Sequence, residues 1–243
     1  MTQIDVISPA DRFQGDLGWL KSFHIFNFAE NYIPGRSGFG DLLVVNEDYI
    51  KPESGFGMHP HRDMEIVTWV LAGSLTHEDN AGNKGVIVPG EVQRMSAGSG
   101  VLHSEYNHSP DEEIHLLQMW VLPDVNAVPP RYDQENVEEL ITDKLGCIAS
   151  GQFDAPIHLH NKNASLYVGR YKQASKIEFP INEKLFVYVA AGNLEFDGTK
   201  YSQGTSLLIS EPNTSSTALC SDDSEIVIWS TSSKARAMSR YRD

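Results

Sequence analysis

The sequence predicts an all-β chain built as two antiparallel β-barrels. Short runs of β-branched and aromatic residues follow one another along most of the 243 residues, and Gly, Pro, Asn and Asp separate them. This pattern is typical of sandwiches and barrels. One stretch also recurs, because residues 69–75 and 188–194 share a Gly-x-Leu hairpin whose glycines, Gly73 and Gly192, lie 119 positions apart. The repeat predicts two similar halves.

The strands of the first half are expected between clusters of turn residues. Pro34-Gly35, the run from Asp79 to Asn83, and Pro89-Gly90 mark three of these turns. The expected strands are residues 23–28, 42–50, 65–71, 74–78, 86–88, 91–96, 102–106 and 113–122.

A connector separates the two halves. Pro123, Pro129 and Pro130 interrupt the strand pattern, and residues 134–145 carry the only plausible helical turns. Strands are expected to resume at 165–171, 184–189, 194–196, 205–209 and 225–230. The predicted organisation is therefore a first domain, a connector and a second domain, with bounds 1–125, 126–145 and 146–243. The polar tail, residues 234–243, is expected to pack only lightly.

Composition and charge exclude several classes of protein. Lys and Arg number 19 and Asp and Glu number 33, which gives a net charge of −14. This charge repels nucleic-acid phosphates and anionic membrane surfaces, so we expect neither as a partner. The start of the chain lacks the basic and apolar regions of a secretory leader, and no apolar run is long enough to span a bilayer. Cys147 and Cys220 are expected to be reduced thiols of a cytoplasmic protein.

Two short clusters within residues 55–107 carry side chains suited to metal chemistry. His59 and His61 form an H-x-H pair, and His103 and Glu105 form an H-x-E pair. Side chains two positions apart in an extended segment share one face, roughly 6.5 to 7 Å apart, so each pair can converge on one ion. Three neutral imidazoles and a carboxylate suit a divalent first-row metal and leave coordination positions open for a reactant. Either pair alone could be a solvated strand face, so the prediction depends on their combination.

These clusters resemble the two sequence motifs of the cupin superfamily. The residues that match the motifs are His59, His61, Glu65, Gly73, His103 and Asn107. The match has departures: Gly73 comes one residue late, the Pro-x-Gly of the second motif is displaced to Pro89-Gly90, and the opening glycine of the first motif falls at Glu53.

Within the cupins, the wording of three segments is similar to the pirin family. The segments are H-P-H-R-x-x-E at 59–65, H-E-D-x-x-G-N at 77–83 and A-G-x-G-x-x-H-S-E-Y-N at 97–107. The resemblance is specific over residues 15–132 and loose afterwards. The chain length suits the short bacterial quercetinase-type pirins, also called pirin-like quercetin 2,3-dioxygenases.

The resemblance implies a bicupin, with two jelly-roll domains and one metal site in the first. His59, His61, His103 and Glu105 would hold one divalent transition metal, with Fe(II) expected first and Ni, Mn, Co, Cu or Zn as alternatives. In such dioxygenases a flavonol chelates the metal through its 3-hydroxyl, the ligand glutamate accepts that proton, and O2 cleaves the heterocyclic ring with release of carbon monoxide. Glu105 is thus implied to be both ligand and general base.

Other functions stay open at this point. Pirin-type proteins are also described as metal-binding, redox-sensing regulators without turnover, and the charge of −14 permits a protein partner for such a role. Another metal-dependent cupin reaction, such as isomerisation or decarboxylation, is a third possibility. For the dioxygenase, we expect a flavonol-like substrate with O2, and a monomeric protein.

The identity of the carboxylate ligand has two answers. The general cupin pattern makes Glu65 the ligand, whereas pirins use the glutamate of the H-x-E pair, which is Glu105. Glu65 lies four residues beyond His61, roughly 13 Å along an unbulged strand, while Glu105 is only two residues from His103. This spacing favours Glu105 as the ligand. Glu65 would then either contact a metal ligand without binding the metal itself or have a purely structural role.

The second half offers no equivalent site. The offset of 119 carries His59 and His61 onto Glu178 and Pro180, and the shorter offset of its hairpin carries His103 and Glu105 onto Thr217 and Leu219. The remaining histidines are expected to be structural. His24 and His115 should be packed in the core, with a supporting contact to a metal ligand as the alternative for His115. The surface histidines should be His77, His108, His158 and His160.

Overall fold

The computed structural model describes residues 2–211 and 216–232. Over these residues the chain is almost entirely β, with a short 3-10 helix at Pro9–Asp11 and one short α-helix, α1, at Glu138–Ile141. None of the described helices is both long and apolar enough to traverse a bilayer. The expected tail, residues 234–243, lies outside the described residues.

The strands up to the α-helix come first. They are β1 (Gln3–Ile7), β2 (Phe13–Asp16), β3 (Leu20–His24), β4 (Leu42–Ile50), β5 (Ser54–His61), β6 (Glu65–Ala72), β7 (Leu75–Asp79), β8 (Lys84–Ile87), β9 (Glu91–Ser96), β10 (Val101–Asn107), β11 (Ile114–Val121) and β12 (Arg131–Asn136). Most of the expected strands are confirmed within one or two residues, whereas the one expected at 23–28 lies earlier, at β3.

The remaining strands follow the helix. They are β13 (Leu145–Ser150), β14 (Ile157–His158), β15 (Ser165–Tyr171), β16 (Ser175–Glu178), β17 (Lys184–Ala191), β18 (Asn193–Phe196), β19 (Thr199–Ser202), β20 (Ser206–Ser210), β21 (Thr217–Cys220) and β22 (Ser224–Thr231). Among the described residues the one α-helix, α1, lies within 134–145, where helical turns were expected, although it is shorter than that stretch and β12 occupies the start of it.

The two halves have the same sheet topology except at one edge strand of each large sheet, since β2 precedes β3 and pairs with it antiparallel, whereas β14 follows β13 and pairs with it parallel. The first half has a seven-stranded sheet, β12-β9-β6-β11-β4-β3-β2, and a four-stranded sheet, β5-β10-β7-β8. The second half has β1-β20-β17-β22-β15-β13-β14 and β16-β21-β18-β19. Apart from that edge strand, these orders correspond strand for strand, which confirms the internal repeat. Gly73 and Gly192 occupy the same hairpin, with φ angles of +77° and +73° that favour glycine.

The halves exchange their edge strands. β1 pairs with β20 in the second half, although the sequence places it at the start of the first. β12, from the expected connector, pairs with β9 of the first half. The ranges expected for the domains therefore do not follow the sheets at either edge, because each large sheet takes one strand from the segment that precedes the other half.

The two seven-stranded sheets share a core. Because side chains alternate along a strand, Ile114 and Leu116 of β11 face the small sheet of their own half, while Leu117 and Met119 face the other half. Trp229 lies on the opposite sheet and donates its indole N–H to the sulfur of Met119 at 3.0 Å. The halves are thus joined by a continuous buried core rather than by a linker alone.

The expectation of two closed antiparallel barrels needs correction. In each half the large and small sheets are separate hydrogen-bonded units, so neither half closes into a barrel. Pairing is antiparallel throughout the described strands, apart from the short parallel contact of β13 with β14. What the structure supports is an all-β architecture of two similar two-sheet halves.

Candidate metal centre

The first half places its candidate site on the small sheet, where β5 and β10 pair. His103 lies opposite His59, and Glu105 lies opposite Phe56, so the ladder contains a bulge between these two pairs. Bulges re-aim side chains and are common beside active sites. Gly55 allows the close approach of the strands, because a Cβ there would lie 2.2 Å from the carbonyl oxygen of Glu105. Because His59 lies directly opposite His103 and His61 directly opposite Val101, the imidazoles of the two clusters share one face of the sheet.

Three of the predicted ligands converge. The ring of His59 lies 4.9 Å from that of His61 and 4.3 Å from that of His103, measured between centroids, and the His61–His103 distance is 5.0 Å. One nitrogen of each ring lies within 4.8 Å of the corresponding nitrogens of the other two. His59 and His61 are partly exposed and His103 is buried, so the group is open on one side only.

The nitrogens of these rings suit a metal ion. Nδ1 of His59 contacts the carbonyl oxygen of Gly57 at 2.8 Å. A carbonyl can only accept, so Nδ1 carries the proton and Nε2 presents its lone pair. Nε2 of His103 is buried and has no hydrogen-bond partner among the described residues. Burial with no partner is costly for a polar atom, and a bound cation between the imidazoles would satisfy it.

Burial also keeps two of the imidazoles neutral. Desolvation, reinforced by the neighbouring His59, lowers the pKa of His61 to about 4. The same causes, with His61 and His77 added, lower the pKa of His103 to about 2. Neutral imidazole is the form that binds metals.

Glu105, the fourth predicted ligand, is grouped with His103 and His77 and not with His59 and His61. Its side chain is buried, and Oε2 accepts a 2.7 Å hydrogen bond from Nε2 of Gln118. Burial raises the pKa of Glu105 to about 7, with the Gln118 hydrogen bond opposing the rise and Asp48 adding to it. One carboxylate oxygen lies within 4.8 Å of nitrogens of His103 and His77. The carboxylate thus joins the imidazole group through His103.

His77 also lies beside the imidazole group. It was expected on the surface, but it is fully buried on β7, where its ring lies 5.1 Å from that of His103. Tyr132 of β12 covers its other side at 4.8 Å. A signal existed, because Leu75, His77 and Asp79 alternate along one strand and Leu75 marks their shared face as buried.

Glu65 lies away from this site. Oε1 of Glu65 is 3.3 Å from Nδ1 of His160, Oε2 accepts from the backbone N–H of His160 at 3.2 Å, and Nε of Arg94 lies 3.9 Å from Oε2. The two contacts with His160 join the first half to the second, whereas Arg94 belongs to the same half as Glu65. This placement agrees with the predicted structural role of Glu65, which stays a prediction. His160, expected on the surface, is only partly exposed because it packs against Glu65.

The other histidines differ in burial. His24 is buried with its ring 4.9 Å from Phe28, as expected. His115 is half-buried and hydrogen-bonded to Glu47 at 2.8 Å. His108 and His158 are exposed, as expected.

A cavity of about 1360 Å³ opens beside the imidazoles. His61 and Trp120 line both the cavity and the edge of the imidazole group, with their rings 4.9 Å apart. Its remaining wall combines apolar and polar groups, among them Phe28, Leu43, Met64, Arg62, Asn80 and Asn126. The volume exceeds the roughly 300–1,000 Å³ that is usual for small-molecule sites. A bound small molecule could therefore reach the imidazoles from this side.

The described residues of the second half form no comparable group. Glu178 pairs with Thr217 in its small sheet, at the position where His59 pairs with His103 in the first. The described residues contain two groups able to hold a metal, and both lie in the first half.

Comparison with known proteins places the chain in a family. A sequence profile of the family named Pirin matches residues 7–121. A Mycobacterium tuberculosis protein is 43% identical over 230 residues, which cover 93% of this chain and 94% of that protein. Its name describes it provisionally as a quercetin 2,3-dioxygenase. The chain belongs to the pirin family.

Two pirin relatives from Escherichia coli extend the comparison. A protein of strain K12 named quercetin 2,3-dioxygenase is 36% identical over 220 residues, covering 90% of this chain and 94% of its own length. The crystal structure of the bacterial pirin YhhW in complex with nickel(II) is similar with a TM-score of 0.86 and 34% identity, covering 94% of this chain and 99% of that one.

Proposed function

We propose that this pirin-family chain is a metal-dependent dioxygenase that cleaves flavonols such as quercetin with O2 and releases carbon monoxide. The observation that carries the proposal is the convergence of three imidazoles, one of which, His103, also lies near the buried Glu105, beside a cavity that reaches His61. The relatives named quercetin 2,3-dioxygenase support the same activity.

The residues that would hold the metal are His59, His61, His103 and Glu105. Fe(II) is the first expectation, and nickel is an equally compatible occupant because a nickel(II) complex of a related bacterial pirin is known; Mn, Co, Cu and Zn also suit nitrogen and oxygen donors. When bound, the metal would supply Lewis acidity toward oxygen atoms of the substrate.

Glu105 would serve as the general base. A base works best when its pKa lies near the operating pH, and burial raises the pKa of Glu105 to about 7. Gln118 holds Oε2 of the carboxylate, so the proton acceptor has a fixed orientation. Glu105 could thus take the proton of a flavonol hydroxyl and hold it away from bulk water.

The cavity supports a flat aromatic substrate. Phe28 and Trp120 meet edge to face at 5.6 Å, and Trp120 also meets His61 edge to face. Such rings pack well against a planar polyphenol, and Arg62, Asn80 and Asn126 could bind its outer hydroxyls. The substrate would lie between this wall and the imidazole group.

We also propose that the halves act as two jelly-roll domains with different roles. The first, near residues 1–125, would carry the chemistry, residues 126–145 would connect the two, and the second, 146–243, would support the first through the shared core. The absence of a metal-binding group from the described part of the second half favours this division.

The proposal is tested on protein purified without a metal-affinity tag. Elemental analysis should find about one divalent metal per chain, and the protein should consume quercetin and O2 together. A chelator should stop turnover and added metal should restore it. Full metal occupancy without oxygen uptake on any flavonol would instead indicate the binding or regulatory protein.

A further inference from the structure

His77 and Asp79 form a chain of contacts that ends at His103. Nδ1 of His77 lies 3.3 Å from Nδ1 of His103, and Nε2 of His77 lies 3.4 Å from Oδ2 of Asp79. All three side chains are buried. They come from paired strands, since β10 pairs with β7 and His103 lies opposite Asp79.

Asp79 is fixed as a hydrogen-bond acceptor. Its Oδ1 accepts from the backbone N–H groups of Ala81 and Asn83, both at 3.0 Å, and Oδ2 accepts from Nδ2 of Asn83 at 2.8 Å. A carboxylate surrounded by donors is acceptor-only. The proton in the contact between Asp79 and His77 therefore belongs to Nε2 of His77.

The position of that proton determines the next one. A neutral imidazole has one N–H and one lone pair, so His77 presents a lone pair at Nδ1. The facing Nδ1 of His103 must then carry a proton. This leaves Nε2 of His103, the buried atom with no partner among the described residues, as a lone pair directed into the site.

His59 is held in the same tautomer by a single hydrogen bond to the backbone. Its Nδ1 donates to the carbonyl oxygen of Gly57, which leaves Nε2 free. His103 has no such carbonyl partner, and an imidazole facing it could equally well donate or accept. Only the carboxylate of Asp79 makes His77 an acceptor.

We propose that His77 is a positioning residue, held by Asp79, that fixes His103 in the tautomer with its proton on Nδ1 and its Nε2 lone pair toward the metal. The inference rests on the proposed metal site. Partners that fix a ligand histidine in this way typically contribute 10- to 100-fold to metal affinity.

The packing around His77 favours positioning over direct ligation. Its ring is enclosed by His103 on one side and by Tyr132 on the other, at 5.1 and 4.8 Å. The hydroxyl of Tyr132 is itself held by Gln134 at 2.7 Å. A ring confined in this way keeps Nδ1 toward His103 and Nε2 toward Asp79.

The first test reads the tautomer directly in the metal-free protein. Long-range proton–nitrogen NMR correlations of histidine labelled with nitrogen-15 should show the proton of His103 on Nδ1 and that of His77 on Nε2. Asp79→Asn replaces the acceptor with a group that can donate, so it should move the proton of His103 toward Nε2. A wild-type His103 protonated on Nε2 would overturn the proposal.

The second test measures affinity for nickel(II) alone, by competition with a chromophoric chelator. His77→Phe keeps the ring and its packing but removes both nitrogens, and it should weaken nickel binding by about 10- to 100-fold. His77→Asn retains an acceptor at the position of Nδ1 and should recover part of this loss. His158→Phe, an exposed histidine in the other half, is the matched control and should bind as the wild type does.

The outcomes separate positioning, ligation and failure of the metal site. Wild-type nickel affinity in His77→Phe would overturn the proposal. So would a loss of one nitrogen from the nickel coordination shell of that variant by X-ray absorption, since it would make His77 a ligand. If the wild type bound no metal, the proposed function would fail, whereas the tautomer of His103 would still test the inference.

Discussion

Gln118 donates a 2.7 Å hydrogen bond from Nε2 to Oε2 of Glu105. Trp120 in turn donates its indole N–H to Oε1 of Gln118 at 3.2 Å. Both donors lie on the face of β11 that points away from the other half. The hydrogen bond from Gln118 therefore links the large sheet of the first half to the carboxylate of Glu105 on the small sheet. The orientation of the proposed base is thus built into the packing of the two sheets.

This relationship predicts the effect of removing Gln118. The hydrogen bond favours the charged form of Glu105, so Gln118→Leu should raise the pKa of Glu105 above about 7. At pH 7 more of the carboxyl would be protonated, and nickel binding should weaken by about tenfold, with recovery toward pH 8.5. Titration calorimetry at several pH values measures this. His158→Phe, at an exposed position in the other half, is the control and should follow the wild type. Identical pH profiles for Gln118→Leu and the wild type would contradict this prediction.

Changing Glu105 or Glu65 to Gln should have opposite effects on metal affinity and on thermal stability. Glu105→Gln should lose metal affinity with little change in thermal stability. Glu65→Gln weakens the contacts to His160 and Arg94, so its Tm should fall by on the order of 5 °C while its metal content stays at the wild-type level. Elemental analysis and calorimetry measure the pair. An empty site in Glu65→Gln with a filled one in Glu105→Gln would restore the general cupin assignment.

Asp48 should make stability depend on pH. Burial raises the pKa of Asp48 to about 6, with the hydroxyl of Ser22 opposing the rise and Glu47 adding to it. Its unfolded pKa is about 3.9, so the native state binds the proton more tightly. The free energy of unfolding should therefore fall as the pH rises from about 4 to about 6, by up to about 3 kcal/mol from this group.

The measurement for Asp48 is urea unfolding of the metal-free protein at pH 4.5 and pH 7. Asp48→Asn removes the titrating group and should be more stable than the wild type at pH 7, with a smaller dependence on pH. Asp154→Asn, at an exposed position, is the control and should follow the wild type. A loss of stability at pH 7 in Asp48→Asn would show that the charge itself stabilises the native state.

The shared core predicts that the halves unfold together. Trp69 donates its indole N–H across the interface to Oε1 of Glu225 at 2.6 Å, and both side chains are buried. Trp69→Phe would leave that oxygen without its donor and should cost about 1–3 kcal/mol in a single cooperative transition. Trp19→Phe, away from this interface, is the control and should cost less. Two separate calorimetric transitions would contradict the joined core.

The two histidine clusters could be predicted because their geometry is local. Residues two apart in a strand share a face whatever the rest of the chain does, so the pairs His59 with His61 and His103 with Glu105 needed only the recognition of extended segments. The repeat was readable for a similar reason, since Gly73 and Gly192 mark the same turn in both halves.

The remainder depends on contacts that the sequence does not encode locally. The contact of Glu65 with His160 joins residues 95 positions apart. β1 precedes the first half in sequence but pairs with β20 of the second half. The residue pattern of a strand does not specify which strand it pairs with. His77 could have been assigned to a buried face from its alternation with Leu75, but its role beside His103 depends on the register of β7 against β10.

The most direct test of the account compares carbon monoxide release from quercetin by the wild type and Glu105→Gln at matched metal content. The variant should retain part of its metal through the three imidazoles but lose the base, so its turnover should fall by about 10²-fold or more while occupancy falls far less. If the protein is this dioxygenase, the metal-loaded wild type should release carbon monoxide and Glu105→Gln should release almost none. Equal release from both at matched occupancy, or none from the fully loaded wild type, would contradict the account.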